Sequence, residues 1–372
     1  MDVTRKKCGR DSFPMYAVIM AGGKGTRFWP KSRERMPKHL LDIVSPRTII
    51  QETIERIAPL IPEENILIVT GESHADELMK QVPHIPKENI IIEPLGRNTA
   101  PCIGLAALHI RRKSPHDVMV VLPADHLIHD APRFRHLLSA AADMAGRGDF
   151  LVTIGIRPTS PETGYGYIEK GDLKTAVNGE NIYTVKSIRE KPPLKQAKAF
   201  LKKGGFYWNS GMFAWNIDAI LDAVEKWLPK VQAGLEQIAG TMGTAGEKET
   251  VRRVYNEFPS ISIDYGVMEK ADNILLIEGD FGWSDMGSWD ALWEASGKDK
   301  NGNAANCRDL FVGVDARNSL IHSPRKLVTL LGVEDLIVVD TEDALLICKR
   351  GSSQDVKKVV EILEAKKKKE YL

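Results

Sequence analysis

Cysteine is scarce in this sequence, and Cys8, Cys102, Cys307 and Cys348 form no CxxC pair or other metal-ligand spacing. That excludes a disulfide framework and a structural zinc, and it fits a reducing compartment. Long hydrophobic runs are also missing. None approaches the roughly 20 residues of a membrane helix, and the charged start "MDVTRKKCGRDSFP" is followed by no apolar signal core. The expected location is therefore cytoplasmic, with no membrane anchor. Charge of one sign is absent too, since 51 Lys+Arg against 50 Asp+Glu leave +1. No field spreads over the surface to hold a nucleic-acid polymer, so any anion must be caught by a local site. At 372 residues and 43% hydrophobic, the chain has ample core for two domains.

What is present is an alternation. Short β-rich apolar runs, "YAVIM", "NILIV" (65 to 69), "NIIIE" (89 to 93), "DVMVVL" (117 to 122) and "FLVTIGI" (150 to 156), are separated by "TIIQETIERIAPLI", "ADELMKQV", "TAPCIGLAALHIRRK" and "RFRHLLSAAADMA", each apolar at helical spacing. This predicts an α/β fold: a Rossmann-like, mixed, mostly parallel sheet flanked by helices. Ligands of such sheets bind beyond the carboxyl ends of the strands, so function is expected in the loops that follow these runs.

The first of those loops is "VIMAGGKGTRFWPKSRERMPKHLL" (18 to 41), where Gly22, Gly23 and Gly25 meet Lys24, Arg27, Lys31 and Lys38. A P-loop needs Ser or Thr after its lysine, and Lys24 is followed by Gly25. A dinucleotide fingerprint needs Gly or Ala three positions after the second glycine, and Phe28 stands there. Two readings stay open: a tight turn with solvated lysines, or a backbone that approaches phosphate closely, with Arg27 and Lys38 in reach of its oxygens.

"AGGKGTRFWPKSRERMPKHLL" resembles the G-G-x-G-T-R-x-x-P…P-K signature of sugar-1-phosphate nucleotidyltransferases. Further stretches narrow the resemblance to mannose-1-phosphate guanylyltransferases: "EPLGRNTAPCIGLAA" (93 to 107), "LPADHLI" (122 to 128), "GYGYIE" (164 to 169), "REKP" (189 to 192), "WNSGMFAW" (208 to 215), "SIDYGVMEK" (262 to 270) and "FGWSDMGSW" (281 to 289). They occur in the family's order over most of residues 16 to 295. The resemblance implies the nucleotide-diphospho-sugar transferase fold, a catalytic domain over 15–297, and transfer of GMP from GTP to α-D-mannose 1-phosphate, giving GDP-mannose and pyrophosphate. Mg²⁺ is the implied cofactor.

Such a reaction needs no protein nucleophile; it needs cations and a metal to bring two polyanions together. Arg27, whose fork suits phosphate, and Lys38 would hold the triphosphate beside Gly22, Gly23, Gly25 and Thr26. Lys191 would neutralise the incoming sugar phosphate, with Pro192 ending its strand. Asp125 and Asp285 read equally as loop or capping aspartates and as hard-oxygen ligands; by resemblance both would hold Mg²⁺, with Asp125 also facing the nucleotide. Glu190, Asn209 and Asp264 would read sugar hydroxyls, and Gly166 would let backbone approach the ring; Asn209 also fits a turn and Asp264 an N-cap. Glu93 could accept both donors of guanine's Watson–Crick edge and Asn98 could bond ribose or base, although "EPLGRNT" also reads as a strand exit followed by an Asn98 or Thr99 cap.

Trp208, Trp215, Trp283, Trp289 and Trp293 read as core anchors, His126 as a hydrogen bonder at the edge of the site and His129 as exposed. After "KDKNGNAAN", short β-rich runs predict a small domain over 303–372, which by resemblance is β-helix-like and helps a homodimer form. "DVKKVVEILEAKKKKEYL" predicts a final amphipathic helix with lysines at its C-terminal end. Phe28, His39 with Leu40, and Lys24 stand where the family commonly has Leu, Gln-Phe and Ser; Phe28 is expected to alter the base pocket and Lys24 to add charge beside the phosphates. Some relatives carry a cupin-type isomerase domain after the transferase, so this chain is expected to be monofunctional. Two alternatives remain: another sugar 1-phosphate and nucleotide on the same fold, or a silent sugar-nucleotide-binding regulator.

Overall fold

A computed structural model describes residues 15–23 and 25–372. Lys24, Cys8 and the stretch 1–14 lie outside the described residues. Strands β1 (Met15–Ala21), β2 (Ile66–Gly71), β3 (Ile90–Glu93) and β4 (Val118–Pro123) alternate with helices α1 (Ile49–Ile57), α2 (Ala75–Gln81) and α3 (Thr99–Lys113). Strands β1, β2 and β4 are buried along nearly their whole length, which is why they read as unbroken apolar runs. Then follow β5 (Leu127–Ile128), α4 (Ala131–Ala145), β6 (Leu151–Ile156), β7 (Tyr167–Val177), β8 (Glu180–Arg189), α5 (Leu194–Lys203) and β9 (Phe206–Asn216). Helices α6 (Ile217–Trp227), α7 (Pro229–Thr241) and α8 (Glu247–Glu257) precede β10 (Ile274–Gly279), β11 (Trp283–Ser284) and α9 (Trp289–Ala295).

The 9-stranded sheet has the order β3-β2-β1-β4-β9-β6-β10-β8-β7. β3, β2, β1 and β4 are parallel throughout, and only β8 and β9 run against the rest. Alternation along β1 sends Ala17 and Ile19 into the core under α1, α2 and α4, and Tyr16 and Val18 into the one under α3, α6 and α7.

Beyond α9 lies a β-rich C-terminal part: β12 (Ala304–Ala305), β13 (Phe311–Val314), β14 (Leu320–His322), β15 (Val328–Leu331), β16 (Leu336–Asp340) and β17 (Leu345–Lys349), then α10 (Val356–Ala365). Its coils stack in parallel, β12 on β14 on β16 and β13 on β15, and the antiparallel β17 closes the larger sheet. A third core joins this part to the first. Phe28 packs on Trp289 with ring centroids 4.9 Å apart, and the Trp29 indole N–H donates to the Tyr371 carbonyl at 2.8 Å.

Two expectations need correcting. The helix ends at Ala365, so Lys366–Lys369 lie beyond it rather than in its last turn. Phe28 is fully buried against Trp289 in the inter-domain core and does not line the cleft at the carboxyl end of the sheet, because its 3₁₀ turn, Thr26–Phe28, packs into the third core.

Candidate active site

At the carboxyl end of the sheet lies a cleft of about 580 Å³, lined by Gly22, Gly23, Glu93, Asn98, Asp125, Gly166, Glu190, Lys191, Asn209 and Asp264 together with residues not foreseen from the sequence. Distant segments converge here because each follows a strand or is tied to one that does. Gly22 and Gly23 follow β1, and Glu93 ends β3. The Asn98 side chain caps α3 by accepting from the Thr99 N–H at 2.9 Å. This end of α3 is fastened to the Asp264 segment, where Thr99 Oγ1 accepts from the Ile263 N–H at 2.8 Å. Asp264 does not sit at an N-cap; it opens a π-helical turn, Asp264–Met268.

Asp125 follows β4, and a two-stranded ribbon brings Asp285 to it. β5 pairs antiparallel with β11, Trp283 opposite Ile128 and Ser284 opposite Leu127, and the same register continued by one residue sets Asp285, just after β11, against His126, just before β5. Lys38 joins the two ends: its buried Nζ donates to Asp125 Oδ2 at 2.8 Å and to the Asp285 carbonyl at 2.5 Å. Asp285 Oδ1 accepts from the Tyr165 hydroxyl at 2.6 Å and from the Gly287 N–H at 3.1 Å. Burial pushes the Asp125 carboxyl up, but Lys38 and His126 outweigh it and hold the pKa at about 2.

The opposite wall comes from β7, β8 and β9. The Asn209 N–H donates to the Gly166 carbonyl at 2.8 Å, and Asn209 Nδ2 donates to Asp264 Oδ1 at 2.7 Å. β8 ends at Arg189, and Lys191 turns into the left-handed region at φ 46° with its Nζ 3.3 Å from Glu190 Oε1. Burial raises the pKa of both Glu190 and Asp264, and for Glu190 the Asp264 charge raises it further. A Cβ on Gly166 would lie 2.4 Å from Glu190 Oε2 and 3.2 Å from Asn209 Cβ, so a side chain there would push the Glu190 carboxylate from its place.

Glu93 is buried, and desolvation pushes its pKa up to about 7. Arg27 is exposed on the 3₁₀ turn; it, Thr26, Gly25, Lys38 and Asp285 stand behind or beside the cleft rather than on its lining. A larger hollow of about 1170 Å³ opens between the two domains and shares no lining residue with this cleft, and its Lys31, Arg33 and Lys326 are ion-paired with Asp42, Asp343 and Asp340.

Comparison with known proteins fits this geometry. The nucleotidyl transferase family model matches residues 16–302, and a mannoseP isomerase/GMP-like beta-helix domain matches 309–363. Mannose-1-phosphate guanylyltransferases of Klebsiella pneumoniae and Escherichia coli are each 41% identical over 95% of this chain and 75% of theirs. The crystal structure of mannose-1-phosphate geranyltransferase from Thermus thermophilus is 34% identical, covering 94% of this chain and 99% of that one, at a TM-score of 0.84. The chain belongs to the mannose-1-phosphate guanylyltransferase family. It is a sugar-phosphate nucleotidyltransferase.

Nucleotidyltransferases of this family generally use a divalent metal, and the residues here suit one. A cation, the Lys38 ammonium, already lies between oxygens of Asp125 and Asp285, and all the donors are hard oxygens.

The sequence did not reveal the aromatic floor of this guanylyltransferase-family cleft. Tyr165, Trp208 and Trp283 pack edge to face, and the Trp283 indole N–H donates to His126 Nδ1 at 3.0 Å. Trp208, Trp215 and Trp289 are buried, as core anchors should be, whereas Trp283 is half-buried, packing on the core with one side and lining the cleft with the other. Trp293 is half-buried beneath the Arg350 guanidinium, 3.5 Å from its ring centre. The position of Tyr165 between Gly164 and Gly166 is the sequence signal that marks it. His126 bonds at the site edge and His129 is exposed. Among the described residues no helix is long and apolar enough to cross a membrane.

Proposed function

We propose that the chain transfers GMP from GTP to α-D-mannose 1-phosphate. The observation that carries this is a single cleft lined by Asp125, Lys191, Glu190, Asn209 and Asp264, with Lys38 behind it fastening Asp125 to Asp285 and Asn209 bonded to Asp264. A phosphate oxygen of the sugar 1-phosphate attacks the α-phosphorus of GTP, the bond to the bridging oxygen breaks, and pyrophosphate leaves in line.

The chain's own groups bind and orient. Backbone at Gly22 and Gly23 lies along the triphosphate, Thr26 and the turn at Gly25 shape that loop, and Arg27 closes over the leaving pyrophosphate with its planar fork. Lys191 neutralises the sugar phosphate, so the two anions approach without net repulsion. Asn209, Glu190 and Asp264 receive the sugar hydroxyls, with Gly166 clearing room beside Glu190. Glu93 in its ionised form accepts the two donors of guanine, and Asn98 meets the ribose. Asp125 and Asp285 would hold Mg²⁺, which when bound supplies charge neutralisation at the α-phosphate and the leaving group. Exposed Leu345 and Ile347 on β17 support a homodimer through the C-terminal domain, which light scattering at micromolar concentration tests. We place the catalytic domain at 15–297 and the small domain at 303–372, in the cytoplasm.

The test is pyrophosphate release, crossing GTP, ATP, UTP and dTTP with mannose 1-phosphate and glucose 1-phosphate, with Mg²⁺ and with EDTA. Fast, metal-dependent release is expected only for GTP with mannose 1-phosphate. Release with another pair would overturn the base or sugar assignment, and silence across the grid with GDP-mannose still bound would replace catalysis by regulation.

A further inference from the structure

Lys38 is unusual among the cations of the cleft. It is buried, with its side chain 7% exposed, and its Nζ lies 5.8 Å from the Phe28 ring centre. Its backbone is pinned in a 3₁₀ turn beneath Gly25. A buried ammonium must be compensated, and this one is compensated by Asp125 Oδ2 and the Asp285 carbonyl. Arg27, by contrast, is exposed, and Lys191 pairs with Glu190 at the other end of the cleft. The chain thus supplies its own cation to Asp125 Oδ2, one carboxylate oxygen of the pair assigned above to the metal, and to the Asp285 backbone carbonyl beside it.

Two positive charges cannot share those oxygens without strong repulsion, since Coulomb energy at a few ångströms is large wherever water is partly excluded. A free divalent ion must therefore separate Lys38 from its carboxylate partner, Asp125, at the cost of that buried ion pair. A bound triphosphate changes the balance, because its oxygens give the ammonium a new partner within reach of the same turn.

We propose that Lys38 is an internal counterion that keeps divalent metal off Asp125 until nucleotide arrives, so that metal and triphosphate enter as one unit. This rests on the reading of Asp125 and Asp285 as the metal-holding pair. Lys38 passes from Asp125 to the phosphates, Asp125 is released to the metal, and no bond is made or broken in the exchange. By linkage, nucleotide and metal must raise each other's affinity by the same factor.

The experiment is a binding titration, not a turnover assay. Mn²⁺ is titrated into the full chain, free ion being read by electron paramagnetic resonance, with and without α,β-methylene-GTP, which cannot be cleaved at the reacting bond. The wild type is expected to bind Mn²⁺ weakly alone and about 30-fold more tightly with the analogue, within the usual span of coupling energies. Lys38→Met should bind Mn²⁺ alone about tenfold more tightly than wild type and lose most of that coupling, while Lys38→Arg, which keeps the charge, should retain it. Lys38→Gln replaces the Met variant should that one fail to fold by circular dichroism. Unchanged Mn²⁺ affinity and unchanged coupling in the neutral variants would overturn the counterion role while leaving the metal site standing. Undiminished Mn²⁺ binding by Asp125→Asn in the analogue complex would instead remove the metal assignment, and the counterion with it.

Discussion

Gly25 and Lys38 interlock. Gly25 sits at φ 58°, and a Cβ there would lie 2.7 Å from Lys38 Cβ and 2.8 Å from its backbone N. The glycine turn therefore does two things: it leaves backbone open to a phosphate, and it lets the lysine turn pack directly beneath it.

Gly25→Ala is accordingly expected to cost about 2 kcal/mol of stability, from a left-handed non-glycine residue and the overlap with Lys38, and to lower kcat about tenfold or more. Gly22 has no atom within 4 Å of its would-be Cβ and no positive φ. Gly22→Ala should melt like wild type yet raise KM for the nucleotide, since its methyl projects into open cleft. Thermal melts and initial rates on both variants check this; equal destabilisation would mean that crowding at Lys38 is not what distinguishes the two glycines.

Lys191 lines the cleft from a left-handed turn at φ 46°, its ammonium beside Glu190, the residue proposed to receive sugar hydroxyls. Lys191→Gln is expected to raise KM for sugar 1-phosphate about tenfold and leave KM for the nucleotide within about twofold. A rise in nucleotide KM alone would move Lys191 to the wrong substrate.

How much of this was legible depends on sequence distance. β1, β2 and β4 could be read locally because both faces are buried and the runs are unbroken. Asp125 could be placed because it follows such a strand, and Glu93 because it ends the short apolar run of β3. Tyr165 could not: its partner, Asp285, lies 120 residues away, and only the β5–β11 ribbon brings that aspartate to the cleft. Phe28 was misjudged for a related reason, since the turn that follows Gly25 faces a second domain whose contacts leave no local trace. The lysines after Ala365 looked helical because charge alone does not mark where a helix stops.

Asp125 carries a pH signature. Its folded pKa, about 2, lies below the ordinary 3.8, so its pairing with Lys38 adds stability that is fully present above about pH 4 and is lost as the pH falls towards 2. Since the side chain is 36% exposed, solvent screening reduces the effect to about 1 kcal/mol. Asp125→Asn should lose turnover by about two orders of magnitude or more while showing a flatter decline in stability between pH 4 and 2. Urea melts at those pH values check it, and identical acid limbs would detach Asp125 from its lysine.

Glu93 has the opposite sign. Burial raises its pKa from 4.5 to about 7, so the folded chain holds a proton that the unfolded chain has already released. Stability must therefore fall as the pH rises through this window and level off above it. Glu93→Gln should remove that slope and be more stable than wild type near pH 8, by roughly 3 kcal/mol. The same substitution should lower kcat/KM for GTP, because an amide cannot accept both donors of guanine while keeping its own N–H groups satisfied. A carboxylate that reads those donors must be ionised, so GTP binding at pH 6 should release close to one proton from the wild type and none from the variant. Calorimetry in buffers of different ionisation enthalpy measures that release directly. No proton released, together with unchanged preference for GTP over ATP, would leave Glu93 a buried acid with no part in reading the base.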